Sequence, residues 1–358
     1  MADLTKSKPF STGQHLQNAS LALAQQLIQA VEDLTLLSGV DSDIYERQGW
    51  AEGWKMAEVT EKSFGQTRAR RILLRLLLYG SAIFVGLPFA FAHVMTRTYP
   101  GGGSETPPPG YTAVELRSGG LRLRAWIARG EADKAAFVIV HGLGNTLEGY
   151  QVHAQPMIER GHTVILPDLR GHGGSEGKYT SLGGLESGDV RAAMSYLREA
   201  GLAGEGIVLM GHSMGAVAVL LAATDQPDIR AVVAEAPFDT YRNTVAHHAW
   251  LLYYLPSWVP IIPLSIMAAE WRAGFDADAI DTVEAARRID APLLAIVDGL
   301  DERMPESVIR RIVDAHPGPN ELWVASGVGH VGAILHPDWE NVVLGFLSKN
   351  GVLADSQN

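Results

Sequence analysis

The sequence predicts an α/β protein, a mostly parallel sheet with helices on both faces, carried behind an apolar helix. Three observations support this. From Tyr111 onward, short apolar runs alternate with helix-forming stretches, the pattern of strands joined by crossover helices. Those runs show little polar alternation, as strands buried on both faces do. And Leu76 to Thr96 contains no residue of fixed charge, a tract long enough to cross a membrane.

Taken in order, residues 1–71 are polar and partly helical. Within them, LALAQQLIQAVEDLTLL places Leu21, Ala24, Leu27, Ile28, Val31 and Leu34 on one helical stripe, fit to pack on another helix or a membrane surface. Residues 72–97 read as a single membrane-anchor helix. At about 1.5 Å per residue the uncharged tract crosses a hydrocarbon core of roughly 30 Å. It begins too far from the N-terminus for a cleaved signal peptide. Arg68, Arg70, Arg71 and Arg75 precede it and only Arg97 follows closely. That imbalance puts the N-terminus in the cytoplasm and the following domain on the far side. Residues 98–110, containing YPGGGSETPPPG, read as an irregular Pro/Gly linker.

Residues 111–350 form the α/β domain. Its expected strands are LRLRAWIA, AAFVIVHG, HTVILPD, GIVLMGHS, IRAVVAEAP, PLLAIVDG and ELWVASG. In sheets of this kind ligands bind beyond the carboxyl ends of the strands, so chemistry is expected just after each run. A net charge of −11 in 358 residues argues against a nucleic-acid surface. With no cysteine, disulfides, Cys-ligated zinc and a thiol nucleophile are excluded. No metal or cofactor motif is found.

Four post-strand segments stand out. VLMGHSMGAVAV sets Ser213 between Gly211 and Gly215, where a buried strand passes into a helix with almost no loop. Such a corner needs small residues on either side and pushes the serine to its apex, the G-x-S-x-G nucleophile elbow. After AAFVIV, the turn His141-Gly142-Leu143-Gly144-Asn145 lets the Leu143 amide converge with that of Met214, two donors for a developing oxyanion. After PLLAIV come Asp298 and, beyond Gly299, Asp301; after ELWVASG comes His330. Serine, acid, histidine is the chain order this arrangement requires. His330 is expected to accept the Ser213 proton and Asp301 to orient it. Asp301 is preferred because it lies in the loop, whereas Asp298 still belongs to the strand; Asp298 remains the rival acid.

VIVHGLGN, ILPDLRGHGGSEG, LMGHSMGA, DGLDERMP and GVGH resemble, in order and spacing, the α/β-hydrolase superfamily. They are most similar to its branch of monoacylglycerol lipases, small esterases and serine aminopeptidase-like hydrolases. The resemblance runs from about Tyr111 to Leu347 and leaves residues 1 to about 100 uncovered. It implies Ser213, Asp301 and His330 as triad, Leu143 and Met214 as oxyanion donors, and no cofactor. In DLRGHGGS, a landmark of the superfamily, Asp168 and His172 are expected to be structural. The family often has glycine where Asp298 stands.

The resemblance further implies a cap inserted after the sixth strand, at about residues 238–290. There WLLYYLPSWVPIIPLSIMAAEW carries three tryptophans and two tyrosines but no charge before Glu270. Pro256, Pro260 and Pro263 break any continuous helix. The aromatics are expected to line an acyl pocket, rest on a membrane interface, or form the cap's own core. No Arg/Lys cluster is seen to clamp a phosphate. The implied activity is hydrolysis of carboxylic esters of apolar acyl groups, an esterase or lipase with lipid monoesters as the leading substrate, through an acyl-serine. A thioesterase or peptidase with the same triad, and a non-catalytic binding protein of this fold, are the alternatives.

Overall fold

The computed structural model describes residues 68–104 and 106–353. The helical stripe expected at Leu21 to Leu37 lies outside them. The chain divides into two compact units, residues 1–78 and 79–358. The boundary falls inside the apolar helix, not in the Pro/Gly segment after it.

The second unit is built on an eight-stranded sheet. Ten strands occur among the described residues: β1 (Tyr99–Pro100), β2 (Thr112–Ser118), β3 (Leu121–Ala128), β4 (Ala136–Val140), β5 (Thr163–Pro167), β6 (His172–Gly173), β7 (Ile207–His212), β8 (Ile229–Glu235), β9 (Leu293–Asp298) and β10 (Asn320–Ala325). The main sheet runs β10-β9-β8-β7-β4-β5-β3-β2. β4, β5, β7, β8, β9 and β10 are mutually parallel, and β3 is antiparallel to both β5 and β2. The β2–β3 hairpin turns at Gly119-Gly120, both at positive φ, where glycine is least strained. β2 is absent from the expected strands because only Leu116 and Ser118 along it are buried, so its apolar pattern is thin.

The central strands are wholly buried and divide their side chains between two cores. Val138, Val140, Ile207 and Leu209 face one core, closed by Val190, Met194 and Leu197 of helix α3 (Glu186–Glu199). Phe137, Ile139, Val208 and Met210 face the other, closed by Ala154 and Met157 of α2 (Gln151–Glu159) and by Phe346 and Leu347 of the last helix, Trp339–Lys349. The period of two puts consecutive residues on opposite faces, and because both faces are covered Ala136–Val140 and 207–210 are apolar at every position.

Helix α1 (Arg68–Thr96) contains a π turn at Ala82–Gly86. Its final turns pack along α6 (Ile261–Ala273), one of two cap helices; α5 (Tyr241–Tyr253) is the other. Ala92 is fully buried against Ala268 and Ala269, three small residues that permit close approach. Arg272 donates to Thr96 Oγ1 at 3.1 Å and contacts His93 Nδ1 at 2.9 Å. Phe89 meets Trp271 edge to face, and Phe91 meets Tyr253 likewise. The insertion follows β8, the sixth strand of the main sheet in chain order. Its aliphatics turn inward: Ile261, Ile262 and Ile266 join Phe238 and Tyr241 in a third core. Of the aromatics between Trp250 and Trp271, Trp258, Trp271 and Tyr254 are each more than three-quarters exposed. Of the alternatives for these side chains, cap core does not hold for those three: the core is supplied by isoleucines with Phe238 and Tyr241.

The segment read as an irregular linker also needs correction at its start. Tyr99–Pro100 pairs in parallel with His172–Gly173, and the Tyr99 ring stacks on His172 at 5.5 Å between centroids. The Tyr99 amide donates to Gly171 O and that of Gly101 to Gly173 O. Gly171 and Gly173 are both at positive φ, so the DLRGHGGS loop turns its carbonyls toward the arriving chain. Composition gave no sign of that partner, which lies far off in sequence.

Candidate active site

Ser213 follows β7 directly and caps helix α4 (Met214–Ala223). Its backbone sits at φ 54 and ψ −117, a region costly for any residue with a side chain. Two hydrogen bonds hold it there: its amide donates to Glu235 O at 2.8 Å, and its carbonyl accepts from Val217 N at 3.1 Å. The flanking glycines are needed on steric grounds. A Cβ on Gly211 would lie 2.3 Å from Gly215 O, and one on Gly215 would lie 2.5 Å from His141 O.

The three residues expected to act together do meet. His330 Nε2 lies 2.9 Å from Ser213 Oγ, and His330 Nδ1 lies 2.5 Å from Asp301 Oδ2. Nδ1 therefore carries the proton toward Asp301, leaving the Nε2 lone pair to face the serine hydroxyl. Asp301 Oδ1 accepts from the Arg303 amide at 3.0 Å. Burial by itself raises the Asp301 carboxyl; the hydrogen bond and charge of His330, helped by Arg303, outweigh it and leave the group below its ordinary value. Asp301 thus stays ionised opposite the imidazole. The acid and histidine loops are tied together by Leu300 N to Val328 O and Gly299 N to Ala325 O, both at 2.8 Å.

Asp298, the rival acid, does not reach the imidazole. Its oxygens accept from the backbone of the histidine loop instead, Val331 N at 2.7 Å and Ala333 N at 3.1 Å.

Leu143 lies in the turn after β4, the strand beside β7, and Met214 opens α4. The turn is held from several sides. Tyr150 Oη accepts from Gly142 N at 3.2 Å, and His172 Nε2 accepts from Gly144 N at 3.1 Å. His172 Nδ1 bonds Arg170 O, which fixes the tautomer that leaves Nε2 free to accept. His141 Nε2 accepts from Leu169 N at 3.0 Å. Asp168 is fully buried and accepts from Leu147 N and Gly174 N, both at 2.9 Å, and from Arg124 Nε at 2.6 Å. The landmark loop is thus scaffolding for the turn after β4. Arg124 and Tyr150 were not singled out from the sequence: nothing local distinguishes them from other arginines and tyrosines.

Two groups of side chains bring metal-type donors together among the described residues: Asp298, Asp301 and His330, and His153, His212 and Glu235. In the first, Asp301 and His330 are bonded to each other and Asp298 to backbone amides. In the second, three wholly buried residues lie behind the elbow, and neither His153 nitrogen has a hydrogen-bond partner. Burial holds His212 neutral, lowering it to about 4. The donor atoms all lie within 4.8 Å of one another, with His212 Nε2 at 3.3 Å from Glu235 Oε2.

Residues 131–271 match the family model described as serine aminopeptidase, S33. That stretch covers less than half of the chain. The whole domain has the α/β-hydrolase fold. Among its relatives is protein YqkD of Bacillus subtilis, 29% identical, the match covering 56% of this chain and 74% of YqkD. The fold matches the esterase Pf2001 of Pyrococcus furiosus, with a TM-score of 0.55 and 23% identity over 69% of this chain and 96% of that one. It also matches the acylaminoacyl peptidase of Pyrococcus horikoshii, with a TM-score of 0.52 and 16% identity over 69% and 43%. At these identities both likenesses concern fold alone.

The elbow geometry makes one clear prediction for stability. Gly211→Ala sets a methyl group against backbone atoms that have nowhere to move, an overpacking cost of about 1–3 kcal/mol. Chemical denaturation should show a lowered midpoint with an unchanged slope.

Proposed function

We propose that this α/β-hydrolase is a serine hydrolase that cleaves carboxylic esters of apolar acyl groups. The observation that carries the reading is the unbroken chain Ser213 Oγ, His330 Nε2, His330 Nδ1, Asp301 Oδ2, with steps of 2.9 and 2.5 Å. In this reading His330 Nε2 accepts the hydroxyl proton as Ser213 Oγ bonds to the ester carbon. The amides of Leu143 and Met214 receive the oxyanion. As the tetrahedral centre collapses, the C–O bond to the alcohol breaks and His330 returns the proton to the departing oxygen. Water, deprotonated by His330, then opens the acyl-serine. Ionised Asp301 stabilises the imidazolium formed in both halves.

Supporting an apolar acyl group is the sequence of the cap, rich in large apolar residues and without a cationic cluster. Esters come before amides because ester cleavage needs no further group to aid a poor leaving amine. The peptidase among the fold neighbours keeps an aminoacyl amide as second reading.

Membrane attachment through α1 is part of the same proposal. The helix has mean hydropathy 1.9, and 6% of its apolar window is buried. Large apolar side chains from Ile72 to Val85 are exposed, and Phe89 beyond them, while Pro88 is buried; Ile72 to Phe89 spans about 27 Å at 1.5 Å per residue. Ala92 and Thr96 instead pack on the cap, so the lipid-facing stretch begins earlier than the uncharged tract of the sequence. Arg75 falls within it, able to extend its guanidinium toward the interface. The arginine imbalance orients the N-terminus to the cytoplasm and the hydrolase domain to the opposite side.

Three outcomes follow. Ser213→Ala should abolish fluorophosphonate labelling and lower kcat by about 10⁴ or more, and Asp301→Asn should lower it by about 10⁴ with the fold intact. Unaltered turnover by folded Ser213→Ala would end the reading; loss of labelling in the wild type would favour the non-catalytic alternative. Across p-nitrophenyl esters, kcat/KM should rise from acetyl toward longer acyl chains and exceed that for acyl-CoA and aminoacyl amides. On fractionation the protein should resist carbonate and high salt, and the domain beyond Tyr111 should be digested by protease once the outer face is opened. Release by carbonate removes the anchor, and shielding of the domain reverses the orientation.

A further inference from the structure

Behind the histidine loop, β8 and β9 each end in a buried acid, Glu235 and Asp298, both 1% exposed. The strands are parallel neighbours, so the two side chains emerge side by side. They converge on one group: the Ala333 amide donates to Glu235 Oε1 and to Asp298 Oδ1, each at 3.1 Å. Asp298 Oδ2 takes the Val331 amide as well, at 2.7 Å. Two buried carboxyl groups that meet at a single N–H disfavour being charged together. Among the described residues neither forms an ion pair with Arg or Lys. Burial first, and then the charge of Asp298, raise Glu235 well above the usual carboxylate range, so Glu235 retains the proton. Its Oε2 has no hydrogen-bond partner otherwise and faces His212 Nε2 at 3.3 Å.

The loop they hold is strained. Val331, the residue after His330, has φ 58. A β-branched residue in that region is a true outlier and costs on the order of 1–3 kcal/mol. The amides of Val331 and Ala333 are the ones the acids accept. Relaxing Val331 toward ordinary backbone angles would rotate the peptide that joins it to His330, and the imidazole would leave Ser213.

We propose that Glu235 and Asp298 form a positioning pair that shares one proton, grips the amides of Val331 and Ala333, and so keeps His330 aligned between Ser213 and Asp301. The proposal rests on the reading of Ser213 as nucleophile and His330 as its base. The pair touches no reacting atom. It also explains a lone acid at the end of each strand, where the sequence alone offered Asp298 only as a rival to Asp301.

The test compares Asp298→Ala, Asp298→Asn, Glu235→Ala and Glu235→Gln in the full-length chain. Asp298→Ala removes both grips and should lower kcat by about 10- to 100-fold, the scale for a misplaced catalytic group, with KM changed less than about threefold. The rate of fluorophosphonate labelling at Ser213 should fall in parallel. Asp298→Asn keeps one acceptor oxygen and should fall between; it carries the test if the alanine variant does not fold. Glu235→Ala should also lose turnover, and Glu235→Gln, neutral and still able to accept from Ala333, should restore most of it. Wild-type kcat and labelling rate in both Asp298 variants would overturn the pair while leaving the serine-hydrolase reading intact. A loss confined to KM, or Glu235→Gln as impaired as Glu235→Ala, would do the same. A stoichiometric divalent metal in the wild type that disappears in Glu235→Gln would give Glu235 another role and overturn the pair. A wild-type protein that the probe fails to label would overturn both.

Discussion

The backbone of β7 and the first turn of α4 approach so closely that Gly211 and Gly215 have no room for a Cβ, and the rest of the site depends on that contact. It forces Ser213 into a conformation that few residues occupy, and the surrounding structure must hold it there. The hydrogen bond from Ser213 N to Glu235 O ties the elbow to β8, and the Glu235 side chain reaches on to the histidine loop. Strain at the serine and strain at Val331 are thus restrained from the same place, the carboxyl end of β8.

The turn after β4 is braced by a different set of contacts. Buried Asp168 gathers Arg124 and two amides, and His172 and His141 accept from backbone on either side of the turn. These groups are neutral or paired, so little uncompensated charge lies buried around them. Hydrogen bonds in such a water-free setting are costly to leave unmade, which makes the loop rigid. In the proposed reading the amides of Leu143 and Met214 serve one developing charge, and they gain only if they need not reorganise.

The cap and the apolar helix share a different logic. Packing between α1 and α6 uses small residues at its centre and aromatic edges at its rim. The cap's aliphatic side chains are consumed in its own core, which leaves Trp258, Trp271 and Tyr254 exposed. Large aromatics stranded in water are unfavourable.

Much of this was legible in the sequence because it is written locally. Strands buried on both faces announce themselves by unbroken apolar runs, and the elbow by glycines fixed two residues either side of Ser213. The chain order of Ser213, Asp301 and His330 follows from the order of the strands. What only the tertiary structure decided concerns contacts between residues far apart in the chain. Asp298 and Asp301 differ by one turn of loop, and it is the path of that turn that brings Asp301, and not Asp298, to the imidazole. Glu235 looks in sequence like the last residue of a strand; its meaning comes from Ala333, 98 positions away. Tyr99 finds its partner strand in a loop more than seventy residues on. Propensity and periodicity act over a few residues, so they fix which elements form. Burial of polar groups is settled by whichever partners the packed elements bring within hydrogen-bonding reach, and that no short stretch of sequence contains.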